Sequence, residues 1–128
     1  MPNDSVLVIE DSGFFVRAYS KVLSEAGYQV LIACDGQSGI QAAQACRPSV
    51  IILDLLLPGL SGMDVLKRLK SNPATSYTPV LVVSSLSGAN AKNVILEGAD
   101  GFCEKANVTA EILEKSVSNI LKRRVLQP

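Results

Sequence analysis

Five side chains in this sequence could do chemistry together: the adjacent carboxylates Glu10 and Asp11, the lone carboxylate Asp54, the hydroxyl of Ser84 and the amine of Lys105. Clustered carboxylates repel one another and take up protons unless a cation sits among them. Hard oxygen donors that leave room for water suit Mg²⁺. A divalent cation and a lysine around a carboxylate make a site for a dianionic phosphoryl group. These residue types therefore point to a magnesium-dependent phosphate site with Asp54 as candidate nucleophile. Each piece also has a plainer reading. An acidic pair after a strand often just starts a helix. A lone Asp before a Pro-Gly break can form an Asx turn, and Ser84 and Lys105 are uninformative singly. Their joint placement at the ends of four predicted strands carries the argument.

The elements that must position them follow from periodicity. Ser5–Ile9 reads as a short buried strand that ends in Glu10-Asp11. From Phe15, apolar residues recur at Ala18, Tyr19, Val22, Leu23 and Ala26, a helical stripe that Gly27 stops. Strand two is Tyr28–Ala33, and a weaker helix with Gly36 and Gly39 runs from Asp35 to Cys46, ended by Pro48. Strand three, Val50–Asp54, is a continuous apolar run broken by one carboxylate, which is costly unless it lies at a strand end, in a cleft or against cations. Pro58-Gly59 breaks that strand. Ser61 and Asp64 form a capping box for a helix to about Lys70, which Asn72-Pro73 closes. Pro79–Val83 is strand four, ending in Ser84-Ser85, and a short helix spans about Asn90 to Glu97. Strand five is Gly101–Glu104, and the last helix runs from about Thr109 to Arg124.

This is βα repeated five times, with strands too apolar to be half exposed. Such alternation predicts a doubly wound α/β domain, a five-stranded parallel sheet with helices on both faces. Right-handed crossovers favour the flavodoxin-like order 2-1-3-4-5, with its switch point between strands one and three. With no repeat, low-complexity stretch or linker, one domain is expected over residues 1–128.

Composition excludes several classes. Twelve Lys and Arg balance twelve Asp and Glu, so nothing suggests a general nucleic-acid or acidic-lipid binder. No apolar run is long enough to span a bilayer and the N-terminus lacks a signal-peptide pattern, so a cytoplasmic location is expected. The three cysteines, Cys34, Cys46 and Cys103, fit neither a disulfide framework nor a zinc site and read as reduced, mostly buried small hydrophobes. The chain has no His, so it offers neither a histidine base nor a histidine phosphodonor. Met1 directly before strand one reads as a natural start, and the end reads equally as a helix tail or a cut before a linker.

Glu10-Asp11, Asp54 with Leu57-Pro58-Gly59 and Gly62, Ser84, and Gly98–Phe102 with Lys105 together resemble the signature of the response-regulator receiver domain. That family includes single-domain chemotaxis regulators, and the resemblance covers essentially the whole chain. It implies that Asp54 accepts a phosphoryl group from a histidine kinase or histidine phosphotransfer protein. It implies Mg²⁺ held by Asp11, Asp54 and the Leu56 backbone carbonyl, with Glu10 acting mainly through metal-bound water. Ser84 would bond the phosphoryl oxygen, Lys105 would pair with it, and Phe102 would be an aromatic switch that turns inward when Ser84 moves. The face of helix four, strand five and helix five would be read by a protein target or a linked output domain. Enzymatic action would be limited to taking phosphoryl groups from donors and slow self-dephosphorylation.

Three departures from the family pattern stand out. Ala106 replaces the proline that usually follows the lysine. A cis non-proline bond costs about 3 kcal/mol, which favours a trans bond and a less firmly placed Lys105. Only 21 positions separate Ser84 from Lys105, one fewer than expected, and the Ser87–Asn90 loop is short. Phe102 lacks a hydroxyl, so any switch must run on packing. Leu56 and Leu86, two residues after Asp54 and Ser84, are expected to flank the approach to the acyl phosphate, exclude attacking water and slow hydrolysis. Rival readings are a phosphorylation-independent receiver-like interaction module, a flavin-binding module and a magnesium phosphohydrolase. Glu10-Asp11 would repel a flavin phosphate after strand one. No insertion is long enough for the lid such a hydrolase usually needs.

Overall fold

The five apolar runs become β1 (Ser5–Ile9), β2 (Gln29–Ala33), β3 (Val50–Leu53), β4 (Val80–Ser84) and β5 (Gly101–Glu104) in a computed structural model that describes residues 4–85 and 91–126. All pair in parallel, in the order β2-β1-β3-β4-β5. The predicted topology therefore holds, and the switch point falls between β1 and β3. The helices are α1 (Gly13–Glu25), α2 (Gly36–Cys46), α3 (Gly62–Ser71), α4 (Ala91–Leu96) and α5 (Ala110–Leu126).

Side chains alternate across a strand, so the central strands feed two cores. Leu7, Ile9, Ile51, Leu53, Val80 and Val82 pack with α2, α3 and α4 on one face. Val6, Val8, Val50, Ile52, Leu81 and Val83 pack with Tyr19 and Leu23 of α1 and Leu113, Val117, Ile120 and Leu121 of α5 on the other. Double burial explains why these strands read as unbroken apolar runs rather than as alternating ones.

Helix starts follow local chemistry. Ser61 Oγ accepts the Asp64 N–H at 3.2 Å, so the Ser61 half of the predicted capping box forms at α3. Asp35 Oδ1 accepts the Ser38 N–H at 2.8 Å and caps α2. That backbone bond holds the Asp35 carboxyl below its ordinary value. Gly27, at φ 98°, takes the left-handed position that ends α1.

Several expectations need correction. The edge strands are half exposed: Ile32 of β2 is 49% exposed, and every residue of β5 is intermediate. An edge strand has a neighbour on one side only, and the flanking helices do not wrap around it. Cys34 and Cys46 are exposed and Cys103 is partly buried, so the cysteines are not mostly core. β3 ends at Leu53, which leaves Asp54 just beyond it, and α1 begins at Gly13, two residues before the apolar stripe. Lys105–Asn107 forms a 3-10 turn, while the trans Lys105–Ala106 bond is as expected, every peptide bond among the described residues being trans. Leu86 and the Ser87–Asn90 loop lie outside the described residues, so helix four is described only from Ala91.

Candidate functional site

Backbone pairing continues one step past β1 and β3 and sets the floor of the site. The Glu10 N–H donates to the Ala33 carbonyl at 3.1 Å, and the Asp54 N–H donates to the Ile9 carbonyl at 3.1 Å. Both acids therefore sit on fixed backbone at the switch point. Glu10 is 1% exposed and Asp54 3% exposed, while Asp11 faces solvent. Carboxylate oxygens of Glu10, Asp11 and Asp54 all lie within 4.8 Å of one another.

Close packing of α3 fixes the far side of Asp54. The Gly62 N–H donates to the Leu55 carbonyl at 2.9 Å. A Cβ at Gly62 would collide with the Asp54 carbonyl oxygen and the Leu55 Cα. Only glycine allows the chain to turn back this closely, which gives the Gly62 of the sequence signature a steric reason.

Lys105 enters from the turn after β5. Its Nζ lies 2.8 Å from Glu10 Oε1 and 3.1 Å from Asp54 Oδ2. The other carboxylate oxygens meet backbone donors: Ser12 N–H to Glu10 Oε2 at 3.1 Å, and Leu56 N–H to Asp54 Oδ1 at 3.2 Å. Lys105 is thus firmly placed despite the trans bond and the alanine that follows it.

One ammonium meets two carboxylates, and a third, Asp11, lies within 4.8 Å of both. Burial pushes the Glu10 carboxyl above its ordinary value; Lys105 and the Ser12 N–H pull the other way and do not cancel it, and the Asp54 charge adds to the rise. Burial pulls the Lys105 ammonium down, but its bonds to Glu10 and Asp54 outweigh that and hold it above an ordinary lysine. The pocket carries more negative charge than its own cation neutralises. Three oxygen donors from separate carboxylates, two of them buried, fit a hard divalent cation with open water positions.

The remaining predicted residues are placed around this centre. Ser84 is buried at the end of β4, one strand over from Asp54, and pairs in register with Glu104, the residue before Lys105. Phe102 is half buried in β5 opposite Val82 and packs against the core beneath α2, α3 and α4. Leu56 is an exposed large hydrophobic next to Asp54.

Sequence reasoning missed three contributors. The backbone N–H groups of Ser12 and Leu56 are invisible to residue type. Phe15 read only as the first member of a core stripe, yet its ring lies under Lys105, with Nζ 4.2 Å from the ring centroid. Its spacing, four residues past Asp11, was the available signal.

Comparison with known proteins agrees with this geometry. The family model of the response regulator receiver domain matches residues 6–117. The chain is 34% identical over 101 residues to response regulator PleD of Caulobacter vibrioides, covering 78% of this chain and 22% of that protein. It is 32% identical over 120 residues to sensory transduction protein RegX3 of Mycolicibacterium smegmatis, covering 93% of this chain and 51% of that one. The chain therefore spans about half or less of the length of these relatives. Among solved structures, the receiver domain of Francisella response regulator 1452 superposes with a TM-score of 0.88 at 27% identity, over 95% of this chain and 99% of that one. Chemotaxis response regulator CheY4 of Vibrio cholerae gives 0.86 at 28% identity, over 93% and 99%.

Proposed function

Because this chain belongs to the response regulator receiver domain family, we propose that it accepts a phosphoryl group on Asp54 from a phosphohistidine donor, with Mg²⁺ required. The observation that carries this reading is the excess of carboxylate over ammonium at the switch point. Glu10, Asp11 and Asp54 oxygens cluster within 4.8 Å of one another, and among the described residues Lys105 alone brings an ammonium to them, meeting Glu10 and Asp54. A phosphorylation-independent module has no need of two nearly fully buried carboxylates on one rim.

The transfer balances simply. A lone pair of the Asp54 carboxylate forms the new O–P bond, the P–N bond to the donor imidazole breaks, and the imidazole nitrogen keeps that electron pair and takes up a proton. Asp11, Asp54 and the Leu56 carbonyl would hold Mg²⁺, with Glu10 reaching it through water. When bound, the cation neutralises phosphoryl oxygens so that an anionic carboxylate can approach them. Lys105 steers and stabilises the incoming charge, the Leu56 N–H holds one Asp54 oxygen, and Ser84 would bond a phosphoryl oxygen. Phe102, half buried and without a hydroxyl, would report the change by packing on the α4–β5–α5 face.

The domain takes up residues 1–128 in this reading. Its upstream partner is a histidine kinase or histidine phosphotransfer protein. Its downstream partner is a protein target or a linked output domain, as its coverage of only part of longer relatives suggests. It is a regulator and not an enzyme for external substrates, and it works in the cytoplasm. Among the described residues no helix is long and apolar enough to cross a membrane. Intact-mass spectrometry after treatment with acetyl phosphate and Mg²⁺ tests the proposal. A gain of about 80 Da is expected, absent with EDTA and in Asp54→Asn; no gain in the wild-type chain would refute self-phosphorylation from this donor.

A further inference from the structure

Lys105 stands on a short turn whose next residues, Ala106 and Asn107, are exposed. Alanine does not lock φ as proline would, so the turn itself does little to aim the side chain. The ammonium nevertheless occupies one point, and its side chain is only 11% exposed. Three groups meet it there: Glu10, Asp54 and the face of Phe15, whose centroid is 4.2 Å from Nζ.

That ring is itself fixed. Phe14 meets it edge-on at 5.2 Å and 86°. Tyr19, one helical turn later on the same face of α1 and buried, lies 5.8 Å away at 38°. Phe15 also lines a cavity of about 230 Å³ with Lys105, Val108, Thr109 and Leu113, which places it between α1 and the lysine turn.

We propose that Phe15 is a positioning residue: its ring face holds the Lys105 ammonium over Asp54. The inference rests on the phosphoryl-acceptor reading above. Both carboxylates hold the lysine by charge-assisted hydrogen bonds, and those oxygens and their charge are what a bound cation or phosphoryl group consumes. The ring quadrupole is unchanged by either event, so it keeps the amine in place as its carboxylate partners are taken. Such a contact strengthens as the ammonium is withdrawn from water, and the Lys105 side chain is only 11% exposed.

Two readouts test this. In NMR spectra the Lys105 ε-methylene protons should be shifted upfield by the ring current, and the shift should vanish in Phe15→Leu and persist in Phe15→Tyr. In parallel, the rate of phosphoryl gain from acetyl phosphate with Mg²⁺ should fall about fivefold in Phe15→Leu. It should be retained in Phe15→Tyr. The Phe15→Leu effect should disappear when Lys105 is already alanine. An equal Phe15→Leu loss in the Lys105→Ala background, or a wild-type Lys105 without the ring-current shift, would overturn the inference. A wild-type chain that gains no phosphoryl group would instead overturn the reading beneath it, while the NMR shift still decides whether Phe15 holds the amine.

Discussion

The two ends of the sheet each carry a lysine against a carboxylate, and they are not the same kind of pair. At the base, Lys70 Nζ lies 3.5 Å from Asp100 Oδ2, with side-chain exposures of 18% and 40%. It also donates to the carbonyls of Thr78 at 2.8 Å and Ser76 at 3.4 Å. Asp100 Oδ2 accepts the Val80 N–H at 2.8 Å, and Thr75 Oγ1 closes the same corner by donating to Leu69 O at 2.6 Å. One charge meets one charge, and the remaining bonds are made to backbone. At the rim, one ammonium meets two nearly fully buried carboxylates with a third beside them. The base pair is a clasp that ties the end of α3 to the starts of β4 and β5. The rim pair is left with unmatched negative charge, which is what a cation and a phosphoryl group can use. Charge balance and burial distinguish the two pairs, and in the proposed reading only the rim pair is reactive.

Removing each lysine should break the symmetry most visibly. Lys105→Met is expected to cost about 3 kcal/mol at pH 7, because it strands two buried carboxylates. Mg²⁺ should recover much of that loss. Lowering the pH should also help: Glu10 protonates more readily in the fold than in the unfolded chain, where its value is near 4.5. The stability of the variant should therefore rise as pH falls from neutral toward that value. Lys70→Met should cost about 1 kcal/mol, since its carboxylate is part exposed and keeps a backbone donor. Neither Mg²⁺ nor mild acid should restore it. Urea titrations of both variants check this, and equal behaviour would erase the distinction.

Smaller effects sharpen it. Leu56→Asn places an exposed polar group beside Asp54 that can orient water, so the Asp54 phosphate should decay about tenfold faster by intact mass. An unchanged lifetime would remove the leucine from the account. Under the rim, the Tyr19 hydroxyl is buried and has no hydrogen-bond partner among the described residues. Tyr19→Phe should therefore stabilise the fold by about 1 kcal/mol. Burial, helped by the Glu10 and Asp54 charges, holds Tyr19 protonated well past the ordinary value of 10.0, at which the unfolded chain releases its proton. Stability should thus fall as pH climbs above 10, and Tyr19→Phe should lessen that fall. A steeper alkaline loss in Tyr19→Phe would contradict the burial argument. Lys105 adds a loss of the same sign in both proteins. At the base, Arg47 holds φ 47° at the end of α2, so Arg47→Gly should add about 0.5 kcal/mol in thermal melts without touching phosphoryl gain.

The fold was legible because β1, β3 and β4 are buried on both faces and leave little but apolar residues to read. β2 and β5 misled for the converse reason: Ile32 and Phe102 have strand chemistry, but an edge does not cover them. Cys34 and Cys46 looked like core because of their residue type, and residue type does not report which side of a strand end or helix meets water. The acids, the serine and the lysine were readable from their positions at strand ends. Backbone donors at Ser12 and Leu56 were not, since every residue but proline carries one. Phe15 was hidden because a helical stripe that faces the core also faces whatever lies at its first turn.

The central claim is that Asp54, among several acids on one rim, is the residue that becomes an acyl phosphate. Borohydride reduction of the acetyl phosphate-treated, Mg²⁺-loaded protein, followed by peptide mapping, reads it directly, since reduction of an aspartyl phosphate leaves homoserine. Homoserine at position 54 alone is the predicted result. Homoserine at position 11, or no reduced residue in a protein that has gained phosphoryl mass, would contradict it.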